Sequence, residues 1–329
     1  MAKKRHHYVP KAYLKSFCDD RGTLYVYRKD EPKKELRLSP DNTGFHKYYY
    51  SQPLPDGGYD HDKLEDYFNR YEAKWPAIIQ NFRDKENVND HLDTIFAFIG
   101  LQRARVPAAR DACEKLLAET VKATWRQLDA AGKLPPPPKG LEDILEQVEV
   151  SIDPHQSIHA MAPIIKGYGD LMKQIGIGVL HNRTDIPFLT SDNPVIWFDP
   201  SLPEGKMQPY AVRLDGPIVL MFPVASHLMI YGHSTKQAEF ARHGLCYGEL
   251  NDAATVKEMN RQVCRFAYET VYASKPGFAR LVREYADESP VIRTETIPAP
   301  NGQFPSSRFV WGKRTRKPKW EPRNGRPQR

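Results

Sequence analysis

The sequence lacks several of the patterns that usually mark a function. Its four cysteines are scattered without a CxxC pair, which argues against a zinc ribbon or a disulfide framework. No run approaches the roughly 18 apolar residues that a membrane-spanning helix needs, and the first residues lack the apolar core of a signal peptide. We therefore expect a folded cytoplasmic protein with reduced thiols and no membrane segment.

Motifs for nucleotide handling and for common hydrolases are also missing. No glycine-rich phosphate loop occurs, so nucleoside-triphosphate hydrolysis and dinucleotide binding have no support. Ser191 lacks the flanking glycines of a nucleophile elbow. His155 and His159 have the i, i+4 spacing of a metal pair on a helix, but no Glu follows His155, so the metalloprotease pattern is absent. Ordinary helical histidines are the favoured interpretation of this pair.

The net charge of +7 is concentrated at one end of the chain. Residues 313–329 contain eight Lys or Arg and one Glu, so this segment carries the whole excess and the rest is balanced. Its prolines and its glycine predict a disordered basic tail. A solubilising terminus is one interpretation, and contact with nucleic acid is the other. The candidate contacts are Lys313, Arg314, Arg316, Lys317 and Lys319.

The apolar pattern predicts an α+β fold, with a helix-rich N-terminal half and a mixed or antiparallel sheet in the C-terminal half. Segments 23–27 and 35–38 alternate apolar and polar residues around a charged turn, which predicts a β-hairpin. Apolar residues at steps of three and four predict helices over 60–84, 90–105, 108–131, 142–150, 155–174 and 251–273. Pro76 should kink or divide the first of these. Short strands are predicted over 177–180, 188–190, 195–198, 218–222 and 227–231.

The domain organisation follows from these elements. We expect one folded domain over residues 1–275, a C-terminal extension over 276–312 and the basic tail over 313–329. The four consecutive prolines at 135–138 are predicted to form a surface loop inside the domain. The oligomeric state is left open by the sequence.

The segment His6–Phe17, HHYVPKAYLKSF, is the most informative part of the chain. Adjacent histidines can bind a metal or transfer a proton near neutral pH, and Pro10 fixes the backbone just after them. The HHxxP pattern resembles the opening of HNH-type nucleases, in which one histidine is a general base and another helps to position a metal. Asn42 and His46 would be the available partners, at a spacing that is long for that motif. A structural hydrogen bond from His7 is the alternative.

A wider resemblance covers more of the chain. The HYVPxxYLxxF pattern at residues 7–17, the QxxRxP pattern at 102–107 and FLTSDNP at 188–194 together resemble an uncharacterised domain-of-unknown-function family that opens with the HYVPxxYLxxF motif. The resemblance implies a single domain in which the proline run is an internal loop. It implies no established activity.

Polar residues in these motifs have the chemistry of a phosphate- or carboxylate-handling pocket. Gln102 and Arg105 lie three apart on one helical face, where Arg offers a bidentate fork and Gln offers both a donor and an acceptor. An ion pair of Arg105 with a nearby carboxylate is an equal alternative. Ser191, Asp192 and Asn193 lie between two predicted strands, where such residues cap the turn or bind a ligand.

A carboxylate on the first long helix completes the candidate set. Glu72 is flanked by Tyr71 and Trp75, so we expect it to point inward, whereas Glu65 lies about two helical turns earlier. A solvated charge at the edge of the apolar stripe is the alternative.

These residues lead to a functional hypothesis, a phosphodiester hydrolase of nuclease type that acts on nucleic acid. His7 would be the general base or a metal ligand, and Arg105 would stabilise the phosphate. Glu72 and Asp192 would be the carboxylate partners, and a divalent metal is a candidate cofactor. The side chains expected to bind substrate are Tyr8, Tyr13, Gln102, Ser191 and Asn193.

A different class of function remains open. In this alternative the chain is a non-enzymatic module that binds nucleic acid or protein, the HYVP motif is structural, and the basic tail makes the contact.

Overall fold

The computed structural model describes residues 5–140, 147–213, 216–299 and 302–315. Over these residues the chain combines helices with a five-stranded sheet, a four-stranded sheet and three two-stranded ribbons, so the predicted α+β class is confirmed. None of the helices in the described part is long and apolar enough to cross a membrane. All four cysteines are free thiols.

The first sixty residues contain the predicted hairpin and the HYVP motif. The hairpin forms with Leu24 opposite Leu38, as expected from its alternating pattern. The elements are β1 (Arg5–His7), α1 (Lys11–Leu14), β2 (Leu24–Arg28), β3 (Glu35–Leu38), β4 (Phe45–Lys47), β5 (Gln52–Pro53) and β6 (Tyr59–Asp60).

Helices dominate the next part of the chain. They are α2 (Lys63–Glu72), α3 (Trp75–Asp84), α4 (Leu92–Ala104), α5 (Pro107–Ala130), α6 (Pro154–His159) and α7 (Met161–Met172). The predicted division at Pro76 is confirmed, because this proline sits in the first turn of α3, where its missing N–H is not needed. Residues 142–146 of the helix predicted over 142–150 lie outside the described residues.

The single helix predicted over 155–174 is wrong, because the structure ends α6 at His159 and starts α7 at Met161. Pro163 explains the break, since a proline has no N–H to donate to the carbonyl of His159 four residues before it. The split separates the two histidines of the proposed pair: His155 is buried, whereas His159 is exposed.

The last part of the described chain alternates strands and helices. In order it forms β7 (Gly176–Asn182), β8 (Thr190–Ser191), β9 (Ile196–Phe198), β10 (Val219–Ala225), β11 (Leu228–His233), α8 (Gln237–His243), β12 (Cys246–Leu250), α9 (Ala253–Phe266), β13 (Thr270–Ala273), α10 (Ala279–Glu284), β14 (Ser289–Ala299) and β15 (Gly302–Gly312).

The helix predicted over 251–273 is too long. Helix α9 ends at Phe266, and β13 follows after a short loop. The sequence of β13, Thr-Val-Tyr-Ala, suits a strand because β-branched and aromatic side chains pack well on a sheet, and β13 pairs with both β2 and β8.

Two sheets organise the fold. The five-stranded sheet has the order β12-β7-β11-β10-β9, in which only β12 and β7 run parallel. The four-stranded sheet has the order β3-β2-β13-β8 and is antiparallel. This second sheet takes two strands from each half of the sequence, so the N-terminal half contributes more strand than its helix-rich pattern predicts.

The main core lies between the helices and the five-stranded sheet. Trp75 of α3 stacks on Phe98 of α4 with ring centroids 3.8 Å apart, and both rings lie next to Phe222 of β10. Tyr13 of α1 stacks in parallel on the same Phe222 at 5.5 Å. The HYVP segment is therefore packed into the centre of the molecule.

Candidate functional site

The HYVP motif is built into the core. Val9, Tyr13, Leu14 and Phe17 are all 0 % exposed. The Tyr13 hydroxyl donates to the Pro223 carbonyl at 2.6 Å. Since a phenol has a single proton, the hydroxyl of Thr190, 2.5 Å away, is the donor in their shared bond. Tyr13 thus joins α1 to a strand of each sheet.

A glycine fixes the backbone of the same motif. The Gly44 carbonyl accepts hydrogen bonds from the N–H groups of Tyr8 and Val9, at 2.9 and 3.1 Å. Gly44 has φ +66°, and a side chain there would approach the Cβ atom of Val9 to 3.2 Å. Tyr8 itself is buried between His46 and Tyr49, with ring centroids 4.9 and 6.0 Å away.

The two histidines of the motif have different environments. His6 is fully buried, and its Nδ1 accepts the backbone N–H of Tyr50 at 2.8 Å. His7 is 8 % exposed, and its Nε2 is buried without a hydrogen-bond partner. Burial, with the nearby cation Lys11 in second place, lowers the pKa of His7 to about 4. At neutral pH His7 is therefore an uncharged imidazole and a weak proton acceptor.

Arg105 contacts two of the other predicted catalytic residues, Glu72 and His7. Its Nη1 donates to Glu72 at 2.5 Å, its Nη2 donates to the backbone carbonyl of His7, and its Nε donates to the Tyr50 hydroxyl at 3.2 Å. The guanidinium also lies over the ring of Phe68 at 4.3 Å. Three of the four predicted catalytic residues are therefore neighbours, and Arg105 has protein partners at all three nitrogens.

Asp192, the fourth predicted catalytic residue, holds a different part of the backbone. Its carboxylate accepts the N–H groups of Tyr268 at 2.8 Å and Glu269 at 2.7 Å, in the loop between α9 and β13. It is 0 % exposed, and this burial, with a smaller repulsion from Glu269, raises its pKa to about 7. Asp192 therefore caps a loop that is distant in sequence, and not the turn in which it lies.

The buried ammonium group of Lys29 contacts backbone carbonyls in and next to the same loop. Lys29 is 6 % exposed, and its ammonium donates to the carbonyls of Ala267 at 2.6 Å, Arg265 at 3.3 Å and Glu288. Burial lowers the pKa of Lys29 to about 7. No sequence pattern indicates this role, because Lys29 opens a charged hairpin turn that predicts exposure.

The remaining predicted substrate-binding residues differ in how many of their polar atoms have a hydrogen-bond partner. The Ser191 hydroxyl accepts the N–H of Asn193 at 3.2 Å, a turn interaction. The amide nitrogen of Asn193 donates to the Tyr210 hydroxyl at 2.5 Å and to the Phe266 carbonyl at 2.8 Å, while its Oδ1 has no partner. Gln102 is 0 % exposed, and both of its amide atoms are without a partner.

Arg103 is the residue that the sequence analysis missed. It is 5 % exposed, its Nε and Nη1 are buried without a hydrogen-bond partner, and it forms no ion pair within the described residues. Its guanidinium lies over the rings of Tyr210 at 4.1 Å, Trp197 at 5.3 Å and Phe309 at 5.8 Å. Burial lowers the pKa of the group, which nevertheless stays protonated because an arginine cannot lose its proton in a protein.

A signal for Arg103 was present in the sequence. Helix α4 reads LDTIFAFIGLQRA and is apolar on nearly every side, which is typical of a helix that is buried all round. Any cation at the end of such a helix must be desolvated. The QxxRxP pattern drew attention to positions 102 and 105 and passed over the arginine between them.

A cavity of about 420 Å³ lies beside Arg103, between α4, α7 and β9. Ile164, Leu171 and Gly167 of α7 form one side, and the half-buried indole of Trp197 forms another. Tyr168, Asp170 and Gln174 also line the cavity, and the buried hydroxyl of Tyr168 has no partner among the described residues. The cavity therefore combines apolar walls with the buried cation of Arg103 and a few other polar groups.

A second cavity of about 410 Å³ lies on the other flank of Tyr168. Its walls are mostly apolar and include Phe96, Gly100, Met172 and Phe240. Gly100 brings α4 close to α7, since a Cβ atom there would lie 3.5 Å from Ile165. This cavity contains no arginine among its walls.

The structure also locates the other groups considered from the sequence. Across the described ranges, no three His, Cys, Asp or Glu side chains converge in a way that could hold a metal ion. Asn42 accepts a hydrogen bond from Arg5 at 3.3 Å, and His46 lies opposite His6 across the β1–β4 pair.

Two cations of the basic tail lie within the described residues. Lys313 pairs with Asp287 at 2.9 Å, and Arg314 pairs with Glu269 at 3.2 Å. Arg316, Lys317 and Lys319 lie outside the described residues. The two described cations are therefore already neutralised by carboxylates of the folded part.

Comparison with known proteins groups the chain without assigning an activity. A family model described as "Protein of unknown function (DUF4238)" matches residues 5–277, which confirms the resemblance to a domain-of-unknown-function family. No curated protein and no solved structure matches the chain.

Proposed function

The chain belongs to the DUF4238 family of proteins of unknown function, and on that premise we propose that it is a binding module for an anionic ligand, with Arg103 as the recognition group. The observation that carries the proposal is a buried guanidinium on the wall of a cavity of about 420 Å³, with two nitrogens that have no partner in the described part of the chain. A concave, largely apolar cavity with a few unsatisfied polar groups is the usual form of a ligand site.

The energetics of Arg103 support this role. Burying a charge without a counter-ion destabilises a fold, and the aromatic faces around Arg103 offset only part of that cost. A carboxylate or phosphate in the cavity would supply the missing counter-charge, and a charge-assisted hydrogen bond to the guanidinium belongs to the strong class. The ligand-free protein would therefore keep a destabilising group that becomes favourable on binding, which is typical of functional sites.

The HYVP motif supports a module more than an enzyme. Its aromatic and aliphatic side chains pack in the core, Tyr13 bonds Pro223 and Thr190, and the His7 carbonyl bonds Arg105. These interactions agree with the structural role that the sequence left open for the motif. Arg105 and Asp192, which a hydrolase would need for substrate, have their hydrogen bonds taken up by the protein.

Anion-dependent stabilisation of the full chain tests this function. Acetate or phosphate, exchanged for chloride at constant ionic strength, should raise the melting temperature of the wild type, because a ligand that binds only the folded state stabilises it. The rise should disappear in Arg103→Met. Arg70→Met is the matched control at an exposed position of α2, and it should keep the full response. Equal responses in all three proteins would contradict the proposal.

A second candidate function is the phosphodiester hydrolase, centred on His7. The specific observation in its favour is the buried Nε2 of His7, which has no partner and is kept unprotonated by its lowered pKa. Arg105 contacts the backbone carbonyl of His7 and the carboxylate of Glu72. In this proposal Nε2 takes the proton of an attacking water, with a divalent metal as a candidate cofactor.

Incubation with single-stranded and double-stranded DNA and RNA, with and without Mg²⁺ or Mn²⁺, tests the hydrolase. The proposal expects cleavage by the wild type and none by His7→Gln, with similar melting temperatures for the two proteins. No cleavage under any of these conditions would rule out this candidate and leave the binding module.

Nucleic-acid contact through the basic tail is a further part of the module proposal. The net positive charge of residues 313–329 supports this contact. Lys313 and Arg314 contribute less to it, because each is already paired with a carboxylate. Deletion of residues 316–329 should abolish salt-sensitive binding to DNA or RNA if the tail makes the contact. Unchanged binding would assign the contact to the folded part.

A further inference from the structure

We propose, as a deepening of the binding function above, that the ligand at Arg103 is a monoanionic carboxylate attached to a flat aromatic body. The carboxylate would contact Arg103, and the body would lie against Trp197 and the apolar face of α7. The proposal concerns the same cavity and depends on its binding an anion.

The charge of the ligand follows from the groups around the cavity. Among the described residues that line it, Arg103 is the only cation and Asp170 is the only carboxylate. Asp170 lies at the exposed rim and pairs there with Lys173 at 2.8 Å, so these two charges compensate each other and Arg103 is left as the uncompensated charge of the cavity. A single carboxylate would neutralise Arg103, whereas a phosphate dianion would leave one negative charge without a partner in a partly desolvated site.

The shape of the walls favours an aromatic body. Trp197 is half-buried, and its ring centroid lies 6.0 Å from that of Tyr168. Both residues line the cavity. Ile164 and Leu171 add aliphatic surface. Aromatic faces pair favourably with another ring in offset or edge contacts, beyond the burial of area, so a flat ring gains more here than a flexible chain. A volume of about 420 Å³ is sufficient for one or two rings.

A glycine in α7 keeps this space open. Gly167 lies in the interior of the helix, where glycine costs helical stability relative to alanine, and it lines the Arg103 cavity. Gly167 is exposed, and a Cβ atom there would have no atom within 4 Å. Because Gly167 also lines the cavity, a long side chain at this position would extend over the cavity opening. Gly169 has the same property, but it lines the second cavity.

Titration calorimetry on the full chain with five matched probes tests the ligand class. Acetate has the anion without a body, benzamide has the ring without the charge, and benzoate has both. Naphthalene-2-carboxylate enlarges the body, and phenyl phosphate replaces the monoanion by a more highly charged head. We expect the affinity to increase from acetate to benzoate to naphthalene-2-carboxylate, with benzamide and phenyl phosphate each at least about tenfold weaker than benzoate.

Two leucine substitutions locate the binding. Gly167→Leu should weaken benzoate at least about tenfold, because the leucine side chain extends over the opening of the Arg103 cavity. Gly169→Leu is the matched control on the same helix, and it should leave benzoate binding unchanged because it lies at the second cavity. Replacing a helical glycine should not unfold the protein, and the melting temperature of each variant verifies this. Arg103→Met should remove the preference for benzoate over benzamide.

The outcomes separate this proposal from the broader one. If acetate and benzoate bind equally, or phenyl phosphate binds best, anion binding at Arg103 stands and the aromatic monocarboxylate is wrong. If benzamide binds as well as benzoate, or no probe binds, both proposals fail. If Gly169→Leu weakens benzoate as much as Gly167→Leu does, the site assignment is wrong.

Discussion

Arg103 and Arg105 lie two residues apart at the end of the same helix, and both are buried, yet the protein uses them in opposite ways. Arg105 donates to Glu72, to Tyr50 and to the His7 carbonyl. Arg103 has aromatic rings around it and no hydrogen-bond partner for two of its nitrogens. Burial and residue type therefore do not distinguish a structural cation from a candidate ligand-binding one, whereas the list of partners does.

Helix geometry explains the difference. Two residues along an α-helix are separated by roughly 200° of rotation, so the two side chains leave α4 on nearly opposite sides. Arg105 reaches β1, which provides the His7 carbonyl, and α2, which provides the Glu72 carboxylate. Arg103 reaches β9 and the cavity beside α7. Among the described residues that line this cavity, the only carboxylate is Asp170, which is paired with Lys173.

The largest expected effect comes from replacing Arg105, the arginine whose three nitrogens all have protein partners. Arg105→Met should lower the free energy of unfolding by about 3–5 kcal/mol, because Glu72 and the His7 carbonyl would lose their donor in a desolvated site. Urea denaturation measures the loss. Arg105→Lys keeps the charge but cannot reach three acceptors in the same way, so it should lie between the wild type and Arg105→Met. A loss below about 1 kcal/mol for Arg105→Met would contradict the structural role.

The pH dependence of the free energy of unfolding tests the environment of His7, whose carbonyl accepts a hydrogen bond from Arg105. Its folded pKa of about 4 lies below the usual value of 6.5, so the unfolded state binds the proton first. The stabilising contribution is complete above pH 6.5 and is lost as the pH falls through 4, on the order of 3 kcal/mol in total.

The difference between the unfolding free energies of wild type and His7→Gln, measured from pH 7 to pH 4, isolates this contribution. The wild type should lose more stability than the variant over that interval. Parallel curves would show that His7 is not buried in the uncharged form.

Two tyrosine hydroxyls extend the comparison to neutral groups. Tyr13→Phe should cost about 1–3 kcal/mol, because Thr190 and the Pro223 carbonyl would each lose a buried partner. Tyr168→Phe removes a buried hydroxyl that has no partner, so it should be neutral or slightly stabilising. Denaturant titrations of the two variants provide the measurement, and equal losses would contradict the contrast.

The smallest effect is expected at the helix that lines the cavity. Gly167→Ala should increase the free energy of unfolding by up to about 1 kcal/mol, because alanine has the better helix propensity and its methyl group meets no atom. Thermal unfolding measures the gain. A destabilised variant would mean that the space beside Gly167 is not open.

Local patterns were sufficient for much of the fold. The α+β class, the β2–β3 hairpin and the break at Pro76 follow from periodicity and from the missing N–H of proline. The missed break between α6 and α7 has a local cause in Pro163, whereas the overlong last helix was predicted where neighbours distant in sequence decide the conformation. Residues 270–273 continue an apparent helical pattern, but β2, more than 240 positions earlier in the chain, recruits them as a strand.

The candidate site was less predictable for the same reason. His7 and Arg105 were grouped as motif residues, and they contact each other through a backbone carbonyl that no sequence pattern displays. Asp192 was proposed as a catalytic carboxylate or as a turn cap, and its observed partners, Tyr268 and Glu269, are distant in sequence. Arg103 is identified by what it lacks, and the absence of a partner is visible only in three dimensions.

The most direct test of the contrast is the stability of Arg103→Met beside that of Arg105→Met, measured by urea denaturation in chloride without other anions. Removing an unpaired buried charge should leave Arg103→Met within about 1 kcal/mol of the wild type, or more stable, while Arg105→Met loses about 3 kcal/mol or more. Comparable losses in the two variants would show that Arg103 is a structural residue and would contradict its role as a ligand-binding group.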